Sequence, residues 1–181
     1  MNTIKHLGAT FTLSLSLLLS ACVGVPEGIT VVDKVEPAKY LGTWYEIARL
    51  DHRFERGLEK VTASYTKRDD GGIQVINGGF NTKEQKWEQA VGKAYFVDAP
   101  HADGTYPGKL KVSFFGPFYG GYNIIELDKP GYNYVMVCGP DKSYFWILSR
   151  TPALAEPIKQ RLVAKAKQLG FDTDKLIYMK P

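Results

Sequence analysis

Reactive side chains are few in this 181-residue chain, and their spacing excludes more chemistry than it supports. His52 beside Asp51 is half of a general-base arrangement. No nucleophile motif accompanies it, neither a Gly-x-Ser-x-Gly elbow nor an activated-cysteine pattern. Past residue 22, His52 and His101 are the only histidines and Cys138 the only cysteine. A zinc site of His and Cys ligands is therefore not expected. Axial haem ligation by one histidine is the remaining option, and no cofactor is expected. Cys138 lies in a strand-like apolar run and reads as a small packed hydrophobe. Glu46 is different. Period-2 alternation puts Trp44, Glu46 and Ala48 on one face of a strand, with Tyr45, Ile47 and Arg49 on the other. A carboxylate beside a large indole either lines a pocket or sits near a bend and reaches water.

The first cysteine carries its own chemistry. Lys5 precedes an apolar run from Leu7 to Leu19, and Leu19-Ser20-Ala21-Cys22 follows. A charged start, a short apolar stretch and small residues before a cut site describe a secretory signal. The run is short of the roughly 20 apolar residues that a membrane span needs. An uncleaved anchor, or a plain signal with an incidental cysteine, is the alternative. The tetrapeptide resembles the lipobox of bacterial lipoproteins. That resemblance implies cleavage before Cys22, a diacylglycerol-derived thioether on its sulfur, and acylation of the new amine, with palmitate as the expected acyl group. Each buried methylene contributes about 0.8 kcal/mol, and one chain anchors only marginally, so a multi-chain anchor is stable. Val23 rather than Asp follows the cysteine, which in that lipoprotein class goes with the outer membrane. The expected division is residues 1–21 as signal peptide, 22–36 as lipidated cysteine and tether, and 37–181 as one domain.

The elements that must position Glu46 are strands. The composition is globular, 44% hydrophobic and 23% charged, and 11 Tyr with 18 Gly lean it toward an all-β fold. The formal charge of +4 is spread along the chain, so no nucleic-acid footprint is expected. Strand-like segments recur at Val61 to Lys67, Ile73 to Asn81, Trp87 to Val97, Leu110 to Phe115, Tyr122 to Leu127, Tyr134 to Cys138 and Tyr144 to Ser149. Gly116 to Gly121 reads as an aromatic-rich loop, and Asp51 to Gly57 as a polar one with Phe54 at a mouth. Eight strands joined mainly by short turns predict an antiparallel up-and-down sheet closing into a barrel. From Leu154 to Leu169 apolar residues recur at three- and four-residue spacings, which predicts a helix packed outside the barrel and stopped by Gly170. Leu176-Ile177-Tyr178 reads as a last short strand on an edge. With one cysteine in the body there is no disulfide framework, and the core must hold the fold.

Gly42-Thr43-Trp44-Tyr45 before the first strand and Ile147-Leu148-Ser149-Arg150-Thr151-Pro152 after the last resemble a lipocalin. The runs Phe114 to Tyr122 and Val137-Cys138-Gly139-Pro140 resemble its bacterial outer-membrane members, on the apolipoprotein D-like branch. The resemblance covers about Val31 to Tyr178. It implies that Trp44 forms the barrel floor under a stacked Arg150, a structural pair. The paired cysteines of many eukaryotic members are missing, which leaves the tail to helix packing and the last strand.

The resemblance also implies carriage of an amphipathic lipid, a fatty acid, phospholipid or lysophospholipid, in the bacterial envelope with the barrel facing the periplasm. The residues expected to line the ligand site are Glu46, Val75, Asn77, Tyr122, Ile124 and Trp146. A structural lipoprotein with a filled barrel is the first alternative, and an enzyme acting on a lipophilic substrate the second. Phe54 and the Phe118-Tyr119 stretch leave a homodimer open.

Overall fold

The computed structural model describes residues 23–180. The signal segment and Cys22 lie outside the described residues. A short helix α1 (Pro37–Tyr40) leads into strands β1 (Gly42–Arg49), β2 (Leu58–Lys67), β3 (Ile73–Asn81), β4 (Lys86–Phe96), β5 (Lys109–Phe115), β6 (Phe118–Leu127), β7 (Tyr134–Cys138) and β8 (Phe145–Ser149). Each pairs antiparallel with the next, and β1 pairs with both β8 and β2, so the eight strands close into a barrel. Period-2 patterning sorts the side chains into two apolar layers. Trp44, Tyr65, Val75, Leu110, Val137 and Leu148 pack inside. Ile47, Met136, Cys138, Phe145 and Ile147 face outward under the helix α2 (Glu156–Gln168), which contributes Leu162 and Ala166. Glu126 on β6 pins that helix through Arg161, at 3.1 Å, and Lys165.

The tail is attached as its sequence predicts. A 3-10 turn (Thr173–Lys175) delivers β9 (Ile177–Tyr178) to Ala48 and Arg49 of β1. β2 pairs only with Gly42 to Tyr45, so β9 takes the stretch of edge that β2 leaves, and Met179 N–H adds a bond to the Ile47 carbonyl at 3.0 Å.

Two expectations change. The aromatic run after Phe115 is largely strand: Phe115 pairs with Phe118, and only Gly116 and Pro117 turn the hairpin. Residues 23–36 are packed rather than free. Val35 is fully buried and bridges Tyr106, Val32 N–H donates to Ile124 at 2.9 Å, and Ile29 joins the outer layer. At the far end, Asn123 Nδ2 donates to the Gly24 carbonyl at 3.0 Å. Gly121 is what lets this happen, since a Cβ there would lie 2.9 Å from that same oxygen. The segment lacks periodicity because its contacts change along it, Ile29 joining the outer layer and Val32 and Val35 the inner one.

Strand alternation fixes the two ends. The connections after β1, β3, β5 and β7 gather at one end, and those after β2, β4 and β6 at the other.

Candidate functional site

The second of those ends is closed. Arg150 Cζ lies 3.8 Å from the centre of the Trp44 ring. Its three nitrogens donate to the carbonyls of Tyr132, Thr43 and Lys39, at 3.2, 3.0 and 2.6 Å. The indole N–H donates to the Tyr40 carbonyl at 2.9 Å. Gly42 holds a φ of +95°, and Arg150 Nη1 lies 3.3 Å from where its Cβ would be, so a side chain there would be strained and would crowd the guanidinium. Trp44 is fully buried as a result.

Above this floor lies an apolar cavity open at the other end. The space that water centres can occupy is about 120 Å³, within about 850 Å³ of empty volume once the mouth is counted. One water needs about 10–15 Å³ by the first measure, so the barrel is not packed solid. Val75, Ala94, Leu110, Val112 and Leu148 supply apolar wall. Of the residues expected to line a ligand site, Glu46, Val75, Asn77, Tyr122 and Trp146 stand on the wall of this cavity. Ile124 does not. It is fully buried in the inner layer, where its backbone joins Gly108 and Val32, so it serves as packing rather than lining.

Polar atoms on the wall fall into three groups. Deep in the barrel, Tyr122 Oη lies 2.6 Å from Tyr40 Oη and 3.0 Å from Tyr65 Oη. Burial holds all three phenols well above their ordinary range, so they stay neutral. Midway, Asn77 Oδ1 is buried without a partner among the described residues, an acceptor free for a ligand.

The third group sits toward the mouth and depends on a bulge in β1. Opposite Glu46 and Ala48 stand the successive residues Leu148 and Ile147, so Ile47 is an extra residue and both it and Ala48 face outward. Arg49 is thereby turned to the Glu46 side, which overturns the strict alternation expected from the sequence. Arg49 Nη1 donates to Glu46 Oε1 at 2.5 Å, and Nη2 to the Glu55 carbonyl at 2.9 Å. Trp146 Nε1 donates to Glu55 Oε2 at 3.0 Å, and His52 Nε2 lies 3.3 Å from the same oxygen. Two buried carboxyls therefore face one guanidinium. Burial, then the charge of Glu55, raises Glu46 to about 8, against the pull of Arg49. Burial likewise raises Glu55, opposed by Trp146 and Arg49. The two titrate together and retain a proton near neutrality. Burial and then Arg49 lower His52 to about 4, so it is neutral.

Sequence reasoning missed Arg49, Glu55, Tyr40 and Tyr65 as site residues. Tyr65 alternates with Val61 and Ala63 on one face, a signal that could have found it. Glu55 lies in a loop, where no periodicity points inward. Cys138 is fully buried in the outer layer, and burial pushes its thiol up to about 12, so it is unsuited to act as a nucleophile. Among the described residues no group of three or more His, Cys, Asp or Glu is placed to hold a metal ion.

A closed-floor, eight-stranded barrel with an apolar cavity, an outer helix and an arginine over the floor tryptophan defines a ligand-binding β-barrel, and the chain belongs to the lipocalin-like domain family, whose pattern matches residues 35–181. It is 57% identical over 154 residues to outer membrane lipoprotein Blc of Escherichia coli (strain K12), covering 85% of this chain and 84% of that one. Against outer membrane lipoprotein Blc of Vibrio cholerae the identity is 50% over 171 residues, 94% of this chain and 97% of the other. Insecticyanin from the tobacco hornworm Manduca sexta shares the fold with a TM-score of 0.66 at 25% identity, over 87% of each chain.

Proposed function

We propose that this chain is an outer-membrane lipoprotein that binds single-chain lipids, fatty acids or lysophospholipids, and carries them in the bacterial envelope for membrane maintenance. The observation that carries the reading is the charge distribution of the cavity along its length, with apolar wall and neutral phenols toward Trp44 and the carboxyl–guanidinium cluster toward the mouth. A lipid tail fits the first part and its head group meets the second. Burying ten methylenes contributes about 8 kcal/mol before association costs, enough for roughly micromolar binding when those costs are modest. Kinship with two proteins named as outer membrane lipoproteins supports the location, and the Leu19-Ser20-Ala21-Cys22 tetrapeptide supports Cys22 as the lipidated residue of a barrel on the periplasmic side.

The mouth cluster also favours one head group. Arg49 Nη1 and Nη2 are already held by Glu46 and the Glu55 carbonyl and only its Nε lacks a partner, so a fatty-acid carboxylate would bring a third carboxyl to a cluster in which two already face one guanidinium. A lysophospholipid with an ammonium head also brings a phosphate, but its ammonium donates to the carboxyl acceptors and offsets that charge, which a fatty acid has no group to do. The open cavity speaks against a barrel that serves structure alone.

Trp146, on the cavity wall, is the natural reporter. Titration with lysophosphatidylethanolamine should quench tryptophan emission and raise the melting temperature, and Trp146→Phe should abolish most of the quenching. If neither lysophospholipid nor fatty acid changes emission or melting temperature, the carrier reading fails.

A further inference from the structure

We infer that the three phenols above the barrel floor form a second polar subsite, one that takes a hydroxyl group carried along the acyl chain of the bound lipid. The inference deepens the lipid-carrier reading above and rests on it. Its basis is a count of hydrogens. Tyr40, Tyr65 and Tyr122 all line the cavity. Tyr40 packs against Trp44 with ring centres 5.2 Å apart and stacks on Tyr65 at 5.7 Å. Among the described residues their hydroxyls meet in two contacts, Tyr122 Oη with Tyr40 Oη at 2.6 Å and with Tyr65 Oη at 3.0 Å. Each contact uses one hydrogen, and three phenols carry three. Burial keeps all three protonated, so none is lost to ionisation. One O–H is therefore left over whichever way the chain of hydrogen bonds runs, and no other described residue accepts it.

A buried donor without a partner is costly, and protein interiors rarely hold one. The wall around the cluster does not supply the acceptor. Val75, Leu110 and Val112 are apolar there, and Asn77 Oδ1 accepts from nothing among the described residues. The cavity thus has one donor and one acceptor to spare, where a plain acyl chain offers only methylenes. Two kinds of ligand oxygen fit such a donor, a hydroxyl on the chain or the carboxylate of a fatty acid entering head first. The carboxylate would carry its charge into an apolar end that offers a single spare donor, and a buried charge needs more than that. Arg150, the cation of the floor, is already stacked on Trp44 with its nitrogens donating to backbone carbonyls. A hydroxyl is neutral and both accepts and donates, so it matches what the wall offers. Tyr40 packs on Trp44, on the floor side of Glu46, so the hydroxyl has to sit out along the chain rather than beside the head group. Sites built to hydrogen-bond a hydroxyl discriminate against the analogue that lacks it, because the site's own polar group is then left unpaired.

The test titrates the purified protein with two lysophosphatidylethanolamines, by calorimetry below their micelle thresholds. Their acyl chains, stearoyl and mid-chain hydroxystearoyl, differ only in the hydroxyl. The hydroxylated lipid should bind at least fivefold more tightly. Equal affinities, or tighter binding of the plain chain, overturn the subsite and leave the carrier reading standing. Failure of both lipids to bind sinks the carrier reading, and the inference with it. A third lipid with its hydroxyl next to the acyl carbonyl should show no such gain, and an equal gain there overturns the deep placement without recourse to any variant. Free stearate and free mid-chain hydroxystearate, compared in the same way, separate the two oxygens. A fivefold preference for the hydroxylated acid supports the chain hydroxyl, and equal binding of the two acids assigns the phenols to a carboxylate and overturns it. Tyr40→Phe, Tyr65→Phe and Tyr122→Phe together remove all three hydroxyls and leave none unpaired. The preference should then vanish while the plain chain binds at least as well as before, and a preference that persists belongs elsewhere on the wall. Tyr65→Phe alone leaves two phenols, one hydrogen bond and still one spare hydrogen, so it should keep the preference, and its loss would contradict the count.

Discussion

Glu46 and Arg150 illustrate two different uses of a charge against an aromatic wall. Arg150 is partly exposed and its guanidinium donors are met by carbonyls, so its contribution is the cover it gives Trp44. Replacing it with Ala should cost about 1–2 kcal/mol, through the lost stack and the wetted indole. Urea unfolding followed by far-UV circular dichroism checks this, and an unchanged midpoint would contradict it. Glu46 sits in a cluster that cannot ionise fully. Its folded-state pKa of about 8 lies above the ordinary carboxyl value near 4.5. Over that window the unfolded chain has released the proton that the folded chain keeps, so stability falls as pH rises from about 4.5 through about 8. Glu46→Gln should flatten that decline, seen by comparing melting temperatures at pH 5 and pH 8.5. Parallel pH curves for the two proteins would refute the assignment. Arg49→Met leaves two buried carboxyls without their counter-charge. It should therefore destabilise the fold more at pH 8.5 than at pH 5, by about 3–5 kcal/mol where they are forced to ionise.

At the scale of elements, the strands were legible because β-branched and aromatic runs are bounded by turn residues, alternating where one face meets water and continuous in β7 and β8, which bury both faces between the barrel interior and α2. All eight are found within a few residues of where periodicity put them, as are the outer helix and the last strand. What periodicity hides is any place where backbone pairing breaks the count. The Ile47 bulge is one. A single extra residue moved Arg49 to the Glu46 side, and with it much of the ionisable part of the site. The Phe115–Phe118 hairpin is another, since Gly and Pro in a run of aromatics signal a longer loop than the two-residue turn that forms. Residues 23–36 are a third, packed by contacts with β6 that no local pattern encodes. That segment can be tested separately from the barrel. Gly121→Ala puts a methyl against the Gly24 carbonyl, so hydrogen exchange at residues 24–29 should speed up while the amides of β7 and β8 stay protected. Uniform loss of protection would mean that the segment is part of the core rather than laid upon it.

At the scale of the whole molecule, the floor pair, the two apolar layers and the open mouth make a container, and the sequence identified that container through Trp44, Arg150 and the strand spacing. The cargo was less legible. Glu46, Asn77 and Trp146 were found because they alternate inward on strands. Glu55 and the tyrosine cluster depend on how a loop and distant strands meet across the barrel, which one strand's pattern does not carry. The central claim is that the cavity holds a single-chain lipid with its head group at the mouth cluster. Native mass spectrometry of the protein purified from bacterial envelopes tests it directly. One lysophospholipid or fatty acid per barrel is expected, lost or strongly reduced when a cavity-wall residue is enlarged by Val75→Trp or Ala94→Phe in a protein that still folds. An empty barrel from lipid-replete envelopes, or retention of the same lipid by those filled-cavity variants, would contradict it.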